Sequence, residues 1–242
     1  MNGSLTVQER AFRGVLGVFL VFVAYHVGLG SAGTEPLVLA WGALAVGLVA
    51  LATAALGTAG RLARVGLDES WSLGYLSARL YVGWEFLYAG WDKATNSWFS
   101  GGGTDAVKGT LGGAVASSHA TAANPHPAVS NWFASVAQHV LIPHAELMSY
   151  LVVTGELCVG IGLITGLFLR LSAIFGVAMN SLFMFAGALG AGLNPEMVLL
   201  GTGVALAGVA GVYAVSVDRF LLPRLRGGVH SELLHLHPAR AH

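Results

Sequence analysis

Charge is scarce in this sequence: Asp, Glu, Lys and Arg together are 10% of 242 residues, and only Lys93 and Lys108 among the twelve bases are lysine. Soluble domains carry about 25% charged residues, so the chain lacks the polar surface that water requires. Twelve acids balance the twelve bases, which removes the basic field on which nucleic-acid binding depends. Cysteine is nearly absent. With Cys158 alone, no internal disulfide and no CxxC dithiol can form, and any redox chemistry must use another carrier.

What remains is apolar. Hydrophobic residues are 55% of the chain, mean hydropathy is +0.70 and glycines number 34, a membrane composition. Runs long enough to cross about 30 Å of hydrocarbon occupy 11–29, 37–58, 73–92, 145–168, 171–190 and 196–217. The expected fold is an all-α integral membrane protein with six transmembrane helices. An N-terminal transmembrane hairpin covers 1–60, a four-helix core covers 73–220 around a long loop at 93–144, and a tail covers 221–242. Arg10 and Arg13 before the first run, with Gly30-Ser31-Ala32-Gly33 after it, also fit a signal peptide; we read the run as a span.

Arg10, Arg13, Arg61, Arg64, Arg170, Arg219, Arg224, Arg226 and Arg240 fall on one side of this arrangement, Lys93 and Lys108 on the other. Cytoplasmic loops retain bases, so both termini are expected in the cytoplasm, the chain in the plasma membrane, and the 93–144 loop outside. A loop of about fifty residues is too long for a plain connection. Gly101-Gly102-Gly103 and Asn124-Pro125-His126-Pro127 interrupt it. They leave 104–116 and 128–141 as short helices at the membrane surface, anchored by Trp98, Phe99, Trp132 and Phe133. No heptad pattern, low-complexity tract or solenoid repeat is evident.

The third run carries most of the intramembrane polarity, in the stretch RLYVGWEFLYAGWDK from Arg79 to Lys93. Ser77, Tyr81, Glu85, Tyr88 and Asp92 are spaced by three or four and share one helix face. A charged side chain at the bilayer centre costs at least about 2.5–3.5 kcal/mol, so that face needs a partner or a cavity. Glu156 lies near the middle of the fourth run. Counting about 1.5 Å per residue from opposite ends puts Glu85 and Glu156 within roughly 5 Å in depth, with Arg79 about a turn nearer the cytoplasm and able to reach either. The glycines Gly83, Gly90, Gly155, Gly162 and Gly166 read as sites of close helix packing.

Arg79-Leu80, Gly83, Phe86, Gly90 and Lys93 on one helix, then GELCVGIGLITGLFLRLSA from Gly155 to Ala173, with Asp218 after Val215-Ser216-Val217, resemble the DoxX/DoxD family over about 73–220. The resemblance implies a four-helix membrane unit of the kind found in the large subunit of thiosulfate:quinone oxidoreductase. It implies oxidation of thiosulfate to tetrathionate with electrons passed to quinone. The 1–60 hairpin lies outside it.

In that setting Glu85 and Glu156 are candidate proton-handling groups beside a quinone ring, balanced by Arg79, and Tyr81 and Tyr88 are candidate donors to a quinone carbonyl. A buried Arg–Glu pair that only fixes packing is the other reading. Lys93 and His126, at the loop side, are candidates for holding an arriving anion, although His119, His126, His139 and His144 also suit a solvated loop. No metal is expected, because no H-x-x-x-H pair with an acid and no Cys/His set occurs in the loop. A b-type haem needs paired histidines on helices, and His26 alone falls in a run. His230, His235, His237 and His242 belong to a surface-lying tail. Without a redox motif of its own, the chain is expected to work with a second small subunit or a soluble redox partner. A non-catalytic membrane anchor for such a partner, and a small-solute permease, remain open alternatives.

Overall fold

Backbone amides in hydrocarbon have no water to bond, and a helix satisfies them within one segment. The computed structural model describes residues 4–29, 34–58, 60, 64, 72–119, 129–187, 195–206, 215–221 and 223, and among them there is no strand, only an isolated bridge between Ser4 and Thr58. The α-helices are α1 Val7–Leu29, α2 Thr34–Leu56, α3 Ser72–Thr95, α4 Gly102–Ser117, α5 Asn131–Val136, α6 Ala145–Thr165, α7 Leu169–Phe185 and α8 Pro195–Leu206. Six of them follow the six apolar runs in order. The rest of the last run, 207–214, lies outside the described residues, as do His126 and nearly all of the 221–242 tail. Residues 131–165 form one helical stretch, long and apolar enough to cross a membrane; Ala40–Leu56 and Leu169–Phe185 are shorter apolar helices. Phe19, Phe22, Trp41, Leu48, Ile174 and Phe175 point outward from α1, α2 and α7, a girdle suited to lipid.

α1 and α2 pack along their length, and α2 leans on α3. The hairpin carries more polarity than its sequence advertised. Arg13 is buried, its Nη1 donating to Thr53 Oγ1 at 3.3 Å, while Arg10 Nε donates to the Ala54 carbonyl at 2.9 Å. Both bases thus meet the C-terminal turns of α2, where carbonyls lack helical partners.

The core is a ring in which α3 packs on α6, α6 on α7, α7 on α8, and α8 again on α3. Val82, Phe86, Val159, Leu163, Leu169, Ala173 and Val204 fill it. The α3–α6 seam does follow a seven-residue spacing, with Arg79, Phe86 and Lys93 in one row and Leu76, Gly83 and Gly90 in the other. A run this short and rich in glycine does not announce itself as a coiled coil. Its glycines are needed: a Cβ on Gly160 would lie 2.5 Å from the Leu87 nitrogen, and one on Gly90 2.9 Å from the Leu157 nitrogen.

The 93–144 segment is a second small core rather than two helices resting on a surface. Val107, Leu111 and Ala114 of α4 bury against Phe133, Ala137 and Ala145. Phe133 therefore belongs to the interior, while Trp132 and Phe99 stay exposed. Pro143 does not break the chain's helical course, because a π-turn at Ala137–Leu141 and a 3₁₀ turn at Ile142–His144 carry α5 into α6, absorbing the amide that proline cannot supply.

Candidate functional site

The buried face of α3 is the row of Arg79, Val82, Gly83, Phe86 and Gly90, not the polar row of Ser77, Tyr81, Glu85, Tyr88 and Asp92. That rotation decides which charges meet. Lys93, two residues from the end of α3, reaches back along the seam and its Nζ lies 2.9 Å from both carboxylate oxygens of Glu156 and 3.4 Å from the Ala89 carbonyl. Glu156 is 2% exposed and Lys93 22%. Lys93 thus serves the interior, its charge already matched by a carboxylate.

Arg79 goes elsewhere. It is 1% exposed, its Nη2 donates to the Val215 carbonyl at 2.9 Å, and Asp218 acts on it electrostatically. Asp218 in turn accepts the backbone N–H groups of Phe168 at 2.9 Å and Leu169 at 2.7 Å, capping α7. Ser216 Oγ donates to the Gly166 carbonyl, and the amides of Val217 and Asp218 bond to Thr165 and Gly166. Residues 215–218 therefore lock the α6–α7 turn against Arg79. The expected pairing of Arg79 with Glu156 is replaced by two separate ion sites at opposite ends of the seam. Sequence counting assumed that α3 and α6 end level. Gly83 instead faces Leu163 and Ile164, and Gly90 faces Glu156 and Leu157, so α3 runs on about nine residues beyond the end of α6. By the same register Glu156 lies about 8 Å along the bundle axis from Glu85. Glu85 is half-buried on the outer side of α3.

Tyr81 and Trp84, on that outer side, help wall a groove of about 340 Å³ between the hairpin and α3. Leu20, Val23, Ala43 and Val46 supply the opposite wall, Gly42 opens it, and Ser77 and Leu80 of α3 with Ile164 of α6 complete the near side. The lining is almost wholly apolar. Ser77 Oγ is spent on the Leu73 carbonyl at 2.7 Å. Trp84 differs: its indole N–H is buried with no acceptor among the described residues, a costly arrangement in a low-dielectric setting. Trp84 and Tyr88 contact each other with ring centroids 6.2 Å apart. Nothing in the periodicity singled out Trp84; an aromatic one residue before a predicted functional acid was the only signal.

On the loop side a second cavity, about 520 Å³ and more polar, is lined by Trp98, Ser100, Gly101, Gly102, Thr104, Asp105, Glu146, Ser149 and Tyr150. Lys93 Nζ lies 5.5 Å from the Trp98 ring centroid, so this vestibule borders the buried ion pair. No cluster of three or more His, Cys, Asp or Glu able to hold a metal occurs among the described residues. His139 Nδ1 is tied to the Ser135 carbonyl at 2.9 Å, and Cys158 is exposed on α6.

Neither a curated protein nor a solved structure matches the chain. The family model that matches is DoxX, over residues 74–189, from the first turn of α3 to just past α7. It takes in the α3–α6 seam and the loop-side core, and leaves out the hairpin, α8 and Asp218. Residues 74–189 are a DoxX domain, and that domain together with the apolar helices points to a membrane protein.

Proposed function

We propose that this protein is the quinone-reactive membrane subunit of an oxidoreductase, with six spans, both termini in the cytoplasm and the loop-side core outside. The observation that carries the reading is the apolar groove walled by Trp84 and Tyr81, Trp84 having a buried indole N–H that lacks an acceptor among the described residues. A quinone offers a flat apolar ring, a hydrocarbon tail and a carbonyl oxygen, which suit the groove and the missing acceptor. Trp84 would donate to that carbonyl and Tyr81 would flank the ring. Glu85, the next residue after Trp84, would supply protons from the helix edge. The DoxX domain supports a quinone-linked role.

The donor in this reading is a small reduced sulfur compound. Two thiosulfate ions joined through a new S–S bond give one tetrathionate and two electrons; a quinone takes those electrons and two protons to become a quinol. Lys93 is already neutralised by Glu156, and Asp105 and Glu146 line the vestibule, so an anion binds more readily on a partner subunit than here. A second subunit would also bring the redox group between donor and quinone.

Purified protein supplied with a quinone analogue tests the reading. The analogue should quench Trp fluorescence saturably, and Trp84→Phe should weaken its binding several-fold. With the redox partner and thiosulfate added, Glu85→Gln should cut turnover by about 10²-fold or more while leaving binding intact. Absence of any quinone binding by the wild type refutes the proposal and favours a non-catalytic anchor. Reporter fusions at residues 64 and 102 test the orientation, and an external signal at 64 would reverse it.

A further inference from the structure

Asn180 is 1% exposed, and both its amide oxygen and its amide nitrogen lack a hydrogen-bond partner among the described residues. Two orphaned polar atoms inside an apolar bundle cost about 1–3 kcal/mol each if truly dry. Leu169, Ala173, Gly176 and Asn180 form the buried row of α7. Gly176 on that row meets Phe86 of α3 and Val159 of α6, and the neighbouring Met179 meets Gly155. One turn further toward the loop side, the same row brings Asn180 level with Gly90 on α3 and Glu156 on α6. Three helices thus place Lys93, Glu156 and Asn180 in one polar layer across the bundle. Lys93, partly exposed and adjacent to Trp98, opens that layer toward the vestibule.

We propose that this layer is hydrated: the Asn180 amide binds internal water against the Glu156 carboxylate, and Glu156 exchanges protons through that water with the loop-side vestibule. Buried water typically makes about three hydrogen bonds to otherwise unsatisfied groups, and the Asn180 amide supplies both a donor and an acceptor. The ion pair alone is closed, because Lys93 holds both oxygens of Glu156; water held by Asn180 gives the carboxylate a second partner when the lysine releases it. Asp105 and Glu146, exposed at the vestibule, collect protons from the bulk. The proton taken up by Glu156 comes from water at the vestibule, and no bond other than O–H changes. The role of this path in reducing quinone rests on the function proposed above; the hydration of the layer does not.

The test therefore has two independent arms. In the protein alone, a map at a resolution that shows ordered water should place water within hydrogen-bonding distance of Asn180. The Asn180→Leu variant should fold without gaining thermal stability, because it loses satisfied rather than orphaned bonds. A dry amide, or a clear rise in melting temperature for Asn180→Leu, overturns the proposal. In proteoliposomes, quinone-coupled proton uptake from the loop side should fall at least about tenfold in Asn180→Leu with quinone affinity unchanged, while Asn180→Ser, which keeps a hydroxyl and leaves room for water, restores most of it. Unchanged uptake in Asn180→Leu also overturns the path. Water at Asn180 in a protein that binds no quinone would uphold the hydrated layer and refute only the quinone function.

Discussion

Lys93 and Arg79 are two heptads apart on the same row of α3, and their partners explain why a helix so short of charge keeps both. Arg79 is buried and Lys93 only partly exposed, and each has its own carboxylate. Removing one member of a buried pair leaves the other uncompensated, at a cost of about 3–5 kcal/mol, whereas replacing both by apolar groups of similar size is often neutral. Lys93→Met should accordingly lower unfolding stability by about that amount, and Lys93→Met with Glu156→Met should recover most of the loss; denaturant unfolding in detergent reads both. A Lys93→Met protein as stable as wild type would mean that Glu156 has no need of the lysine. The sequence made Arg79, Glu85 and Glu156 legible as polar groups within the bundle, since their isolation in an apolar run requires a reason, while Lys93 read as a loop-side base. Their pairing was not legible, because it depends on an axial offset between α3 and α6 that close glycine contacts set and residue counting does not see.

Helices α1 to α3, α6 and α7 were readable in order and nearly to their ends, because apolar length is a strong signal in a chain that must bury its backbone. Element ends are where tertiary contacts intervene. α6 stops at Gly166, with φ of +70°, and α7 begins after Phe168 under the cap supplied by Asp218, fifty residues further on. That cap was visible only as a family-like Asp, not as a contact. Asp218→Ala should cost about 0.5–2 kcal/mol for the lost cap, and more because Arg79 then loses the carboxylate that acts on it electrostatically. Thermal unfolding should show the decrease, and an unchanged melting temperature would remove Asp218 from the account. The loop-side helices were also anticipated, but their burial was not. Trp98, Phe99, Trp132 and Phe133 look alike in sequence, and only packing sends Phe133 inward and leaves Trp132 outside.

At the scale of the molecule, the hairpin that lies outside the DoxX match becomes half of the candidate site. Leu20, Val23, Gly42, Ala43 and Val46 face Tyr81 and Trp84 across the groove, so the family domain and the hairpin together make a cavity that neither has alone. This was beyond sequence reading, since nothing in the apolar pattern of α1 and α2 says which side of α3 they cover. Gly42 offers the most direct test of the claim that the groove binds quinone. A side chain there meets nothing within 4 Å, and the same is true of Gly14, which lies outside the groove. Leucine suits a helix better than glycine at either site. The measurement is the dissociation constant of a quinone analogue for the wild type, Gly42→Leu and Gly14→Leu, each with wild-type thermal stability. Gly42→Leu should fill the groove and weaken binding by about tenfold or more, which corresponds to about 1.4 kcal/mol, while Gly14→Leu binds as the wild type does. Equal binding by all three would contradict the placement of quinone in this groove.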